Sequence, residues 1–168
     1  MAVEFDVRLS PDEVPPQDRP AWAAVDTGLL GRLAAFALER LHVHPDAELS
    51  VAVVDEDEMA RLHLEWMDLP GPTDVMSFPM DELRPGTAEV PAEGTLGDIV
   101  LCPTVALRQA EAAGHPVADE LCLLTVHGIL HLLGHDHAEP EERRTMFELQ
   151  RELLTDFLGR PAPVETME

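Results

Sequence analysis

The sequence predicts an α+β domain with one roughly four-stranded mixed sheet and about five helices packed on it. Three observations predict this class. Four short runs, near residues 3–9, 48–54, 74–79 and 96–102, alternate or cluster β-branched and apolar residues as strands do. Longer stretches between and after them repeat apolar residues near the helical period. One such stretch, Leu121 to Leu133, is apolar nearly all round apart from two histidines, and a helix of that kind belongs in the middle of a domain.

The first strand sets Val3, Phe5 and Val7 against Glu4, Asp6 and Arg8. Ser10 to Pro20 carries four prolines and reads as a loop. From about Trp22 to Leu41 the pattern is helical, with Leu29, Leu33, Phe36 and Leu41 near the 3.6 spacing, and His42, His44 and Pro45 close it as surface turn residues. Glu48 to Val54 is the second strand. Asp55 with Glu58 resembles a capping box, and Glu56 and Asp57 suit the positive end of a helix dipole, so this acidic run reads as a helix start rather than a metal site. That helix runs to about Trp66 with Met59, Leu62 and Trp66 inward and His63 half-exposed.

Met67 to Thr73 is a Pro/Gly loop, and residues 74–79 form a short strand ended by Pro79, a residue confined to sheet edges. Residues 80–94 are acidic and contain proline, the composition of a mobile loop. Leu96 to Cys102 is the fourth strand. Pro103 opens a helix to Ala113 that Gly114 caps. Pro116, Asp119 and Glu120 start the central helix. A last amphipathic helix runs from Glu141 to about Leu158 with Leu149, Leu153 and Phe157 at i, i+4, i+8. Residues 1–158 thus read as a single domain, and 159–168 as a frayed tail. No internal repeat is visible.

Length and composition bound the function. The 168 residues are 45% hydrophobic, enough for one domain with a full core. No apolar run approaches the roughly 18 residues of a membrane span, and the acidic, strand-like start lacks the basic and apolar segments of a signal peptide. Cys102 and Cys122 sit alone in apolar runs, as reduced core residues of a cytoplasmic protein would. The net charge of −22 opposes general binding to nucleic acid or anionic membrane. All eleven basic residues are arginine, so any phosphate contact falls to a local arginine cluster or a metal.

The run His127-Gly128-Ile129-Leu130-His131-Leu132-Leu133-Gly134-His135-Asp136-His137 carries the chemistry. Four residues apart on a helix, His127 and His131 present their imidazoles on one face, one turn apart. Gly134 ends the helix at no steric cost and lets the chain bring His137 back toward them. Three converging imidazoles without a fourth protein ligand form the pattern of a catalytic zinc site with an open water position. Chance produces this spacing about once in a thousand chains of this histidine content. The spacing also resembles the metzincin motif, but Gly128 stands where those proteases hold their glutamate base, which argues against peptide hydrolysis by that route. Gly128 reads instead as a point of close helix packing. Asp136 could orient a ligand imidazole, cap the turn after Gly134, or serve as a base. His135 is expected to be exposed. Asp74 and Ser77 are candidates for lining the cleft.

These motifs, with Leu-Gly-Asp at 96–98 and Pro-Thr-Asp-Val-Met-Ser-Phe-Pro at 72–79, resemble the YbeY family of bacterial endoribonucleases over most of the chain. The resemblance implies a single-strand-specific, metal-dependent RNA endonuclease with one Zn²⁺ held by His127, His131 and His137. It implies a part in 3′-end maturation of small-subunit ribosomal RNA and in ribosome quality control. It also implies partners among small-subunit ribosomal proteins and a ribosome-associated GTPase. Many members carry an arginine just after an aromatic residue ahead of the Pro-Thr segment; here Trp66 is followed by Met67, leaving Arg61 or Arg84 as substitutes for phosphate contact. The rival readings are a zinc hydrolase acting on another substrate and a non-catalytic ribosome assembly factor with a structural zinc.

Overall fold

The computed structural model describes residues 2–167. The apolar runs form four strands, β1 (Ala2–Val7), β2 (Glu48–Val53), β3 (Val75–Pro79) and β4 (Thr95–Leu101), in the order β1-β2-β4-β3. The first three in that order are parallel neighbours, and β3 runs antiparallel to β4, so the sheet is mixed as expected. Pro79 closes β3 on an edge, where its missing N–H leaves no ladder bond unmade.

Six α-helices accompany the sheet: α1 (Arg19–Ala23), α2 (Thr27–Arg40), α3 (Glu56–Met67), α4 (Pro103–Ala113), α5 (Val117–Leu132) and α6 (Pro140–Leu158). The count exceeds the expected five because the predicted helix from Trp22 to Leu41 is two. Asp26 is extended, and its carboxylate accepts the Leu29 N–H at 3.0 Å, which starts α2 afresh. Asp55 caps α3 as its sequence position predicts, accepting the Glu58 N–H at 2.9 Å.

The central helix is α5. Every residue from Glu120 to Leu130 is buried, and β3, β4, α2, α4 and α6 pack around it. Burying each large side chain contributes roughly 1.5–3 kcal/mol, so this helix anchors the domain. Its closest approach to the sheet is at Gly128, where an added Cβ would lie 3.0–3.2 Å from side-chain atoms of Ile99 on β4. Glycine is there to bring helix and sheet together, as its place in a helical pattern suggested.

The opposite sheet face is only partly covered. Met59 of α3 packs with Met76, Val100 and Cys102 in a smaller cluster. Trp66, expected inward, is 62% exposed: near the end of α3 its indole meets Phe78 at 5.9 Å between centroids and 72°, and most of its surface stays in solvent. The acidic segment after β3 is pinned by a bridge between Val43 and Ala92 and by the Thr95 N–H donated to Asp81 at 2.7 Å.

The segment after α6 reads as a frayed tail in sequence, yet it packs. Met167 joins the main core, Arg151 pairs with Glu165, and the Thr166 hydroxyl donates to Glu120. Glu120 is wholly buried, and a buried carboxylate needs such donors; His115 supplies another at 2.6 Å. Both cysteines are free and buried, and burial pushes each thiol up to about 11, as unreactive core residues. Among the described residues no single helix is long and apolar enough to cross a membrane.

Candidate metal centre

The histidine motif follows from how α5 ends. Gly134 adopts φ +94°, its N–H bonds to the His131 carbonyl at 3.0 Å, and the His135 N–H bonds to that of Leu130 at 3.0 Å. This pair of bonds is the Schellman arrangement, which reverses the chain. His137 then returns over the helix. The ring centroids of His127, His131 and His137 lie 4.6, 5.0 and 5.3 Å apart, and one ligand atom from each falls within 4.8 Å of the others.

His127 is 3% exposed, and its Nδ1 faces Gln150 Oε1 of α6 at 2.8 Å. With that nitrogen donating its proton, Nε2 is left bare and faces His131 Nε2 at 3.1 Å. Two ring nitrogens this close suit a shared cation: bonds of about 2.0–2.1 Å in a tetrahedron set neighbouring nitrogens about 3.3 Å apart. The Nδ1 of His137 is buried without a hydrogen-bond partner among the described residues. Burial holds His127 at about 3, with the neighbouring His131 adding to the effect, and burial also lowers His131. Neutral imidazoles are the form that binds a metal, so the donor set fits a divalent ion.

The surroundings fix these rings from behind. Gln150 is fully buried, and Phe147 lies 6.3 Å from the His127 ring and 5.9 Å from that of His137, sealing the inner side. Sequence reasoning missed both residues; their i, i+3 spacing on one face of α6 was the available signal. In front, a cavity of about 670 Å³ opens, with Asp74, Ser77, His63 and Met67 in its walls beside the three histidines.

The other predicted residues have different stations. Asp74 is nearly buried, and its Oδ1 accepts the Val75 N–H at 2.7 Å and the Thr73 hydroxyl at 3.2 Å, fixing the start of β3. The Ser77 hydroxyl donates to the Gly128 carbonyl at 3.1 Å and ties β3 to α5. Asp136 is exposed and accepts the His137 N–H at 2.7 Å, the turn role among its three options. His135 is half-buried rather than exposed, and burial lowers its pKa. Arg61 is outside this cavity and is held by Glu58 at 3.5 Å and Glu65 at 3.3 Å. Arg84 lies across Gly134, beside the motif's turn, and donates to the carbonyls of Glu82 and Leu83.

A family profile described as Endoribonuclease YbeY matches residues 25–158, from the approach to α2 through the whole of α6. The chain belongs to the endoribonuclease YbeY family. The YbeY relatives include one from Paenarthrobacter aurescens, 62% identical over 145 residues, covering 86% of this chain and 92% of that protein. Another, from Renibacterium salmoninarum, is 63% identical over 138 residues, covering 82% of this chain and 88% of its own. Both are named Endoribonuclease YbeY. The fold is also that of a Thermotoga maritima protein solved in solution, with a TM-score of 0.59 at 24% identity, covering 94% of this chain and 89% of that one. The family match takes in β2, β3, β4 and every histidine of the motif, and leaves β1 and the packed C-terminal segment outside it.

Proposed function

We propose that this chain is a zinc-dependent endoribonuclease that cuts single-stranded RNA, and that it serves in 3′-end maturation of small-subunit ribosomal RNA and in ribosome quality control in the cytoplasm. The observation that carries the reading is the convergence of three imidazoles on one face of a nucleotide-sized cavity, in a chain of the YbeY family. His127, His131 and His137 would hold one Zn²⁺. A bound zinc ion supplies Lewis acidity for a scissile phosphate and lowers the pKa of a water toward about 7.

The protein's own groups do the rest. Gln150 keeps the His127 proton on Nδ1 and so presents Nε2 outward. Phe147 keeps water from the rear of the cluster. Ser77 and Asp74 brace the facing wall, which sets the width of the cleft. Gly128, in the place of a general base, cannot take the proton of the attacking group, which would be a water or the RNA 2′-hydroxyl. The product ends tell these apart, since a 2′,3′-cyclic phosphate excludes direct attack by water. Small-subunit ribosomal proteins and a ribosome-associated GTPase are the partners that would bring so acidic a protein to RNA.

The test is cleavage of single-stranded and duplex RNA by purified protein with zinc, with chelator, and as His131→Ala. Zinc-dependent cutting of the single strand that the variant lacks supports the reading. Activity that survives chelation and the substitution refutes it, as would a folded His131→Ala protein that processes ribosomal RNA normally in cells.

A further inference from the structure

The metal cavity has a neighbour across the edge strand. A groove of about 840 Å³ lies on the open sheet face, and Ser77 and Pro79 of β3 line both spaces. Trp66 lines this groove, while Met67, the next residue, lines the metal cavity. The two are 62% and 57% exposed, and Leu64 and Leu69 add exposed apolar surface on either side. A large aromatic ring left out of the core beside a reaction cleft needs an occupant.

The charges on the page select that occupant. Arg8 is paired with Asp6 and Glu58, and Arg61 with Glu58 and Glu65, so neither guanidinium in the groove is unpaired. Asp98 lies opposite Phe78 in the β3–β4 register and adds a carboxylate beside the indole. Such a groove repels phosphate. It accepts a base, whose face is apolar and whose amino edge donates hydrogen bonds. The indole meets Phe78 at 72° with 5.9 Å between centroids and stays 62% exposed, which leaves ring surface open for stacking.

We propose that Trp66 is the stacking platform for an unpaired base of the RNA strand whose phosphate lies at the histidine cluster. This rests on the nuclease reading and deepens it. A base inside a duplex is already stacked and paired, so the platform takes single strands only, and stacking supplies the affinity that a chain of net charge −22 cannot draw from phosphates.

The experiment titrates full-length, metal-stripped protein with a labelled single-stranded RNA decamer and with the same sequence as a duplex, reading anisotropy and tryptophan emission. Trp22, the second tryptophan, is 3% exposed and silent to surface binding. The platform predicts quenching of emission on binding the single strand. It predicts a Kd raised about tenfold or more in Trp66→Ala, largely restored in Trp66→Phe, and unchanged in Val90→Ala, an exposed apolar truncation elsewhere. The tenfold difference persists between about 50 and 200 mM salt, because it is not electrostatic. An unaltered Kd in folded Trp66→Ala, binding without quenching, an equal effect of Trp66→Ala on duplex, or no RNA binding at all overturns the proposal. Zinc-loaded wild type separates the two readings. Cleavage with no Trp66 dependence sinks the platform alone, and Trp66-dependent binding without zinc-dependent cleavage sinks the nuclease alone.

Discussion

On α5 and α6 the groups around the histidines are buried and fix one another: Gln150 sets His127, Phe147 backs His127 and His137, and Gly128 presses the helix onto Ile99. On the facing rim, from Arg61 to Arg84, most side chains other than Asp74 and Met76 reach solvent, and the arginines are tied to carboxylates or to backbone carbonyls. The first region can hold an ion in a fixed place because Gln150 orients the His127 ring and Phe147 backs the rings of His127 and His137. The second can change its residues with little cost to the fold, because Trp66, Met67 and Leu69 leave most of their surface in solvent. On the proposed reading, chemistry sits on the rigid side and recognition on the tolerant one.

That contrast breaks first at the histidines. His131→Ala should abolish stoichiometric zinc and reduce RNA cleavage by more than the roughly 100-fold that losses behind a metal ligand produce, while the fold persists. Metal analysis and circular dichroism on the same sample check both halves. Gln150→Leu should weaken zinc binding by about 10–100-fold, and Gln150→Glu should retain it, since the acceptor for Nδ1 survives. Competition against a chelator of known affinity reads this. Gly128→Ala should destabilise the protein by about 1–3 kcal/mol despite alanine's better helix propensity, because Ile99 is buried and has no room to retreat. Urea melts of this variant and of one combined with Ile99→Val should be non-additive, the smaller side chain relieving part of the loss.

The smallest effect is on pH. Unfolded, the His127 imidazole takes a proton near 6.5; folded, it resists until about 3. Between those values the unfolded chain binds the additional proton. Stability of the metal-free protein therefore falls as pH drops through that window and levels off below it. Thermal melts at a series of pH values should show the decline begin near 6.5, and zinc should make it steeper, because a bound ion keeps its ligand imidazoles unprotonated in the folded state. A flat profile would mean that the rings are not buried as a group.

On the buried side of this contrast the helix and its histidines were legible in sequence; the groups behind them, Gln150 and Phe147, and the exposed side were not. The all-apolar run around His127 and His131 announced both the central helix and its chemistry, and Gly128 and Gly134 disclosed a close approach and a chain reversal. Capping also read through: Asp55 was visible as a helix start. Asp26 was not, because an apolar period continued across it and hid the break between α1 and α2. Trp66 misled for the same reason. Its periodicity matched Met59 and Leu62, but a periodic pattern does not say where the sheet beneath it ends. The roles of Gln150 and Thr166 were not legible, since each matters through a partner far away in the chain, His127 and Glu120, which the spacing on α6 does not name.

The central claim is a single ion held by three imidazoles. X-ray absorption at the zinc edge on purified protein tests it most directly. The account predicts about one zinc per chain with three nitrogen neighbours near 2.0–2.1 Å and one light atom, and one nitrogen fewer in His137→Ala. A spectrum with fewer than three imidazoles, or one that the His137→Ala substitution leaves unchanged, would contradict it.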